Sequence, residues 1–181
     1  MPDRRAHLTD AAIVTLARSG MRGLTHRAVD REAGLPEGST SYYFRTREAL
    51  LQATLERLAE LSTADIEATP PTDLDAIAGL LHRWLTDGRD RMLARFELTL
   101  ESTRRPELRE VLLAAGASFR AAATQLLTEA GVPDARRRAE NLVACIDGLL
   151  FDQIAEAGPV RSADDLRDAL IPLFATAFAA Q

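Results

Sequence analysis

Ser39, Thr40, Ser41, Tyr42 and Tyr43 follow one another without interruption. Five hydroxyl-bearing side chains in a row, with no aliphatic residue among them, make a poor core segment. They are the donors and acceptors that bond phosphate oxygens and the edges of bases. Thr25 and Arg27 precede them and Arg47 follows. The remaining reactive side chains point to no enzyme. His7, His26 and His82 are scattered, with neither an HExxH pattern nor a Cys/His pairing for zinc. Asp147 and Asp152 share a segment, but no second carboxylate cluster answers them, and no glycine-rich loop cradles a phosphate. Neither a metal nor a cofactor is therefore expected. Cys145 lies in an apolar stretch and reads as a buried small hydrophobe, a redox sensor being the minority alternative.

The elements around the hydroxyl run must aim it. Thr25 is an N-cap residue for a first helix, with Val29 and Ala33 four apart on one face. Gly34 stops that helix, because glycine accepts the left-handed backbone of a sharp turn. Leu35 plugs the corner. Pro36 suits the first turn of the hydroxyl-rich second helix. Thr46 caps a third helix that carries Arg47 and Glu48 in its first turn. Helix, glycine-containing turn, helix is the helix-turn-helix outline. The competing reading is a helical hairpin within an ordinary all-α core.

The pattern resembles the DNA-binding domain of the TetR family of transcriptional regulators. Leu24-Thr25, Ala33-Gly34-Leu35, Gly38-Ser39, Tyr43-Phe44 and Arg47-Glu48-Ala49-Leu50 carry the resemblance, and RRAHLTDAAIVTLARSG ahead of them matches the family's own first helix, which precedes these three. It covers about residues 4–52. The resemblance implies that Ser39 and Thr40 face base edges and that Tyr42 and Tyr43 place hydroxyls near phosphates, Tyr43 being partly core. It also implies that Thr25, Arg27 and Arg47 meet the phosphate backbone. Glu37 departs from the family pattern. It either accepts from a cytosine amine or points away, and the second is favoured. Arg4 and Arg5 either touch phosphates or a minor groove, or belong to a frayed end.

Composition fits this division. The net charge is −5, yet residues 1–50 hold eight arginines against six carboxylates, and the remainder holds 14 against 21. All 22 basic residues are arginine. A basic front on an acidic rear suits a DNA-binding head with a partner domain that does not touch DNA. One cysteine excludes an intrachain disulfide. No signal peptide opens the chain and no run of 18 apolar residues occurs, so a reducing cytoplasm is expected and no membrane.

An all-α fold of about nine helices is expected, with a helix-turn-helix head at 1–46 and a ligand-sensing and dimerisation body at 47–181. The first helix should end at Gly20, and the helix after Thr46 should reach residue 63 or 69. The break ATPPTD (68–73) follows, with Thr72, Asp73 and Asp75 opening the next helix. Pro106 opens a helix with an inward stripe of Leu108, Val111, Leu112, Ala115, Phe119, Ala122 and Leu126. A further helix runs from Pro133-Asp134 to Gly158-Pro159. Ser162 with Asp165 caps the last, which Pro172 should bend or shorten.

In the body, Trp84, Met92, Phe96, Leu100 and Phe119 are candidates to line an apolar cavity. His82, Gln125, Asn141 and Asp152 are candidates for polar tuning. Ile146, Leu150, Ile154, Leu166, Leu170, Phe174 and Phe178 exceed what one monomer face needs, and suggest a four-helix interface across a two-fold axis. The resemblance implies a homodimer that represses from a palindromic operator and is released by a small apolar or amphipathic molecule. An activator or ligand-independent regulator is the first alternative. An all-α enzyme or structural protein is the second.

Overall fold

The computed structural model describes residues 3–68 and 73–179. Among them are nine α-helices and no strand: α1 Arg4–Gly23, α2 His26–Glu32, α3 Ser39–Tyr43, α4 Arg47–Ala68, α5 Leu74–Leu85, α6 Arg89–Ser102, α7 Pro106–Glu129, α8 Ala135–Ile154 and α9 Ala163–Phe178. They form two compact units, Met1–Ala64 with Gly88–Ala115, and Asp65–Asp87 with Gly116–Gln181.

The first unit is built on α1. Leu8, Ala12 and Leu16 recur every four residues and are fully buried, as the period of a helix face requires. They pack with Leu24, Val29, Phe44, Leu50, Leu51, Leu55 and Leu58, and with Ala94 and Leu98 of α6. Gly20, with φ 61° and ψ −174°, breaks the α1 backbone where the sequence ends the helix. Two arginines tie the rim by ion pairs: Arg57 to Asp10 at 2.8 Å, and Arg105 to Glu101 at 2.7 Å and Glu48 at 3.2 Å.

In the second unit α5 packs on α9 and α8. Leu80, Leu81, Trp84, Leu142, Leu150, Ile154, Leu166 and Leu170 are buried. Ser162 and Asp165 form a reciprocal capping box at the start of α9. At its far end Arg138 donates to the carbonyls of Thr176 and Ala177, each at 3.2 Å. Arg167 reaches Asp75 at 2.5 Å, joining α9 to α5.

Several local expectations need correction. Pro36 does not lie in a helix: Pro36 to Ser39 forms a turn, with the Ser39 N–H donating to the Pro36 carbonyl at 3.1 Å, and α3 begins only at Ser39. α8 stops at Ile154, short of Gly158. α9 runs through Pro172 to Phe178, so of the two outcomes expected there a shorter helix does not occur. The α7 stripe departs from the expected one after Phe119: Leu127 is buried and Leu126 is 44 % exposed, because 119, 123 and 127 keep the four-residue step. Cys145 is exposed rather than buried. Thr72 lies outside the described residues.

Candidate nucleic-acid interface

Two left-handed glycines shape the reading element. Gly34 at φ +65° turns the chain off α2, and Gly38 at φ +93° turns it into α3. Side-chain-bearing residues rarely adopt such angles. Thr25 caps α2 by accepting from the Ala28 N–H at 3.2 Å, and Thr46 caps α4 by accepting from the Ala49 N–H at 3.1 Å. The two histidines of this unit brace the corner. His7 Nε2 donates to the Ala33 carbonyl at 2.9 Å, and His26 Nε2 to the Phe44 carbonyl at 2.7 Å. Each requires the tautomer with a proton on Nε2.

On this frame Tyr42 stands out from the surface at 80 % exposure, its ring edge-on to Tyr43 at 5.1 Å. Tyr43 is half-buried and packs against the core. Ser39 is half-buried, and its Oγ donates to the Pro36 carbonyl at 2.7 Å, which leaves its lone pairs as acceptors. A shallow groove beside them is lined by Arg4, Leu35, Pro36, Ser39, Tyr42 and Tyr43. α1 begins at Arg4, its first turn capped by the Asp3 carboxylate accepting from the Arg5 N–H at 3.0 Å. The Arg5 guanidinium lies 4.8 Å from the centre of the Phe44 ring. Arg27 and Glu37 are both exposed and approach to 3.9 Å. Glu37 thus turns toward a neighbouring arginine, and a pair so open to solvent is weak.

Two expected DNA contacts are placed elsewhere. Thr40 is fully buried, and its Oγ donates to Asp30 Oδ1 at 2.5 Å, so it cannot face a base edge. The hydroxyl run alternates in role because α3 must bury one side to be held. Arg47 turns inward: its two terminal nitrogens donate to the carbonyls of Leu24 and Met21. Those carbonyls follow the Gly20 break, where no helical N–H answers them.

The ligand candidates divide between the units. Trp84 and Phe119 meet edge-to-face at 5.9 Å in the second, where the Trp84 indole N–H donates to Asp65 at 2.8 Å. Met92, Phe96 and Leu100 belong to the first. Leu100 is 58 % exposed. The dimer candidates also need revision. Leu150, Ile154, Leu166 and Leu170 are buried within their own unit, and Ile146 and Phe174 pack partly against its core. Phe178 remains exposed, and with it an outward face of Ala144, Cys145, Gly148 and Phe151 on α8 and Ile171 on α9. Among the described residues no cluster of three or more His, Cys, Asp or Glu is placed to hold a metal.

The sequence reading missed Asp30. Its partner Thr40 lies ten residues on across a turn, and no helical periodicity links them. The outward faces of α8 and α9 were legible only as surplus hydrophobicity.

These features define a helix-turn-helix regulator, and comparison with known proteins agrees. The family model described as "Bacterial regulatory proteins, tetR family" matches residues 8–54, and "Tetracyclin repressor-like, C-terminal domain" matches residues 68–176. The chain belongs to the TetR family of transcriptional regulators; it is a DNA-binding regulator and not an enzyme. It is 27 % identical over 166 residues to the HTH-type transcriptional regulator BetI of Rhizobium meliloti (strain 1021), covering 88 % of this chain and 82 % of that one. Among solved structures it is similar to the multidrug binding protein EbrR complexed with ethidium, with TM-score 0.73 and 30 % identity over 94 % of this chain and 98 % of that one. A transcriptional regulator from Rhodococcus sp. Rha1 shares the fold at TM-score 0.83, with 21 % identity over 98 % and 99 % of the two chains.

Proposed function

We propose that the protein is a cytoplasmic repressor that holds a palindromic operator as a homodimer and lets it go when a small molecule binds its body. The boundary between head and body falls near residue 46 in this reading. The observation that carries it is the pairing of exposed Tyr42 and half-buried Ser39 with the flanking Arg4 and Arg27 on a braced helix-turn-helix. Thr25, Arg27, Ser39, Tyr42 and Tyr43 form the DNA face, with Arg4 at its edge. Thr40 and Arg47 support that face from behind.

One five-residue helix buries too little to hold a specific site. Two copies on symmetric half-sites double the contact, about 34–36 Å apart or a multiple of that. The outward face of α8 and α9 supports the homodimer, with Phe151, Ile171 and Phe178 as its large apolar residues and Ala144, Cys145 and Gly148 allowing close approach. Phe151→Glu is expected to convert a dimer to a monomer in sedimentation equilibrium and to remove operator retention, with α-helical content unchanged. A variant that remains dimeric sinks this assignment of the interface.

For the ligand, Trp84, Phe119 and the Asp65 carboxylate suit a flat, cationic aromatic molecule: rings for stacking and a negative charge for the cation. The similarity to a multidrug binding protein complexed with ethidium and with malachite green supports that class. A ligand can shift the equilibrium only by its difference in affinity between the DNA-competent state and the other. Trp84 is the chain's single tryptophan, so its emission reports the site. Malachite green is expected to quench Trp84 and, over the same concentration range, to release a duplex taken from upstream of the protein's own gene. Quenching without release, or no retention of that duplex at low salt, goes against the proposal. A promoter reporter in a deletion strain separates repression from activation.

A further inference from the structure

The recognition helix α3 has five residues, far below the length at which a helix stands alone in water. Its direction must be imposed from outside. The Asp30 side chain of α2, 1 % exposed, does this at three points. Oδ2 accepts from the Gly38 N–H at 2.8 Å. Oδ1 accepts from the Thr40 N–H at 2.7 Å and from the Thr40 hydroxyl at 2.5 Å. Ser39 lies between the two amides so held.

We infer that Asp30 is the positioning residue that fixes α3 against α2, and so sets the register between the phosphate-contacting end of α2 and the base-facing side of α3. The inference rests on α3 being the helix that reads DNA. Thr25 and Arg27 sit at the start of α2, and Ser39 and Tyr42 on α3. The carboxylate is the bond network that joins the two sets. Phosphate contacts on α2 supply affinity for any duplex, and base contacts on α3 supply the choice among duplexes. Loosening the clamp therefore removes selectivity ahead of general affinity.

The chemistry requires an anion with acceptors on both oxygens. Burial alone would raise the Asp30 carboxyl. The Thr40 hydroxyl, the Thr40 and Gly38 N–H groups and the nearby His26 bring it below the ordinary carboxylate value. Asparagine has the same shape but carries an NH2 in place of one oxygen. Either rotamer sets that NH2 against a backbone N–H, of Gly38 or of Thr40, so one donor always meets a donor.

The test compares full-length D30N, T40S and T40V with the parent protein. One probe is a duplex selected from a random pool by the parent, and the other is a scrambled duplex of equal length. The clamp acts in both copies of a dimer, so D30N is expected to lose about thirtyfold or more on the selected duplex while the scrambled duplex changes less than about threefold. T40S keeps every donor and is expected to match the parent. T40V loses only the hydroxyl and is expected to fall between. In amide spectra of D30N the Gly38 and Thr40 resonances move while those of α1 and α4 stay.

Selected-duplex affinity of D30N within about threefold of the parent, with those two resonances displaced, overturns the inference. If D30N fails to fold, T40V decides: a reduced ratio of selected to scrambled binding supports the clamp, and an unchanged ratio overturns it. Should Ser39→Ala and Tyr42→Ala leave selection intact, α3 is not the reader. That failure removes the inference whatever D30N does.

Discussion

Phe44→Ala is expected to destabilise the DNA-binding unit more than any other single change named here. The ring is 2 % exposed and lies among Leu8, Leu24, Val29 and Leu50 in one core. It also stands beneath the Arg5 guanidinium, and its carbonyl accepts the proton of His26. Truncation leaves a ring-sized void between α1, α3 and α4. The cost is about 3–5 kcal/mol, or roughly 10 °C in melting temperature for a chain of this size. A folded domain holds only about 5–15 kcal/mol in total, so this one change removes a large share. Differential scanning calorimetry gives the answer directly. A shift below about 3 °C would mean that Phe44 is not a keystone of the core.

Tyr42→Ala is expected to do the opposite: weaken operator binding about thirtyfold and leave the melting temperature where it was. The side chain is 80 % exposed and its ring meets that of Tyr43 edge-to-face, so little packing is lost. A single hydrogen bond to the duplex is worth about 1 kcal/mol or more. The substitution acts in both half-sites, and about 2 kcal/mol is roughly thirtyfold in affinity. Arg47→Ala provides the contrast. It strips the donors from the Leu24 and Met21 carbonyls, so it is expected to cost about 1 kcal/mol of stability, or roughly 3 °C. Equal melting temperatures for the two variants would contradict the inward placement of Arg47.

This contrast marks where the sequence is informative. The caps at Thr25, Thr46 and Ser162, and the turn at Gly34, were legible because each is a local bargain between a side chain and backbone a few residues away. The stripe of Leu8, Ala12 and Leu16 was legible because the helical period shows on the page. Thr40 was misread because five adjacent hydroxyls look alike until the far side of the turn is known. Its role depends on Asp30, which no periodic rule connects to it. Arg47 was misread because a basic residue at a helix start offers two partners, phosphate or unanswered carbonyls, and only the fold brings Met21 and Leu24 within reach.

α8 poses a different difficulty. Both of its sides lack charge over Leu142 to Ile154, save for Asp147 and Asp152. Hydrophobicity alone therefore does not separate residues that fill the unit's own core from those that meet a second copy. The larger aliphatics, Leu142, Leu150 and Ile154, went inward. The small residues with Phe151 went outward. Surfaces that pack helix to helix at close range favour that mixture, with small side chains letting backbones approach and one aromatic filling the remaining space.

The central claim is that α3 enters the major groove with Ser39 and Tyr42 foremost, while the start of α2 meets the phosphate backbone. Hydroxyl-radical footprinting of the full-length protein on its selected duplex tests it most directly. The account predicts two protected blocks on one face of the duplex, their centres about 34–36 Å or a multiple apart, both erased by Tyr42→Ala at concentrations where the parent protects fully. A footprint of a single block, or two blocks that persist unchanged in Tyr42→Ala and Ser39→Ala, would contradict it.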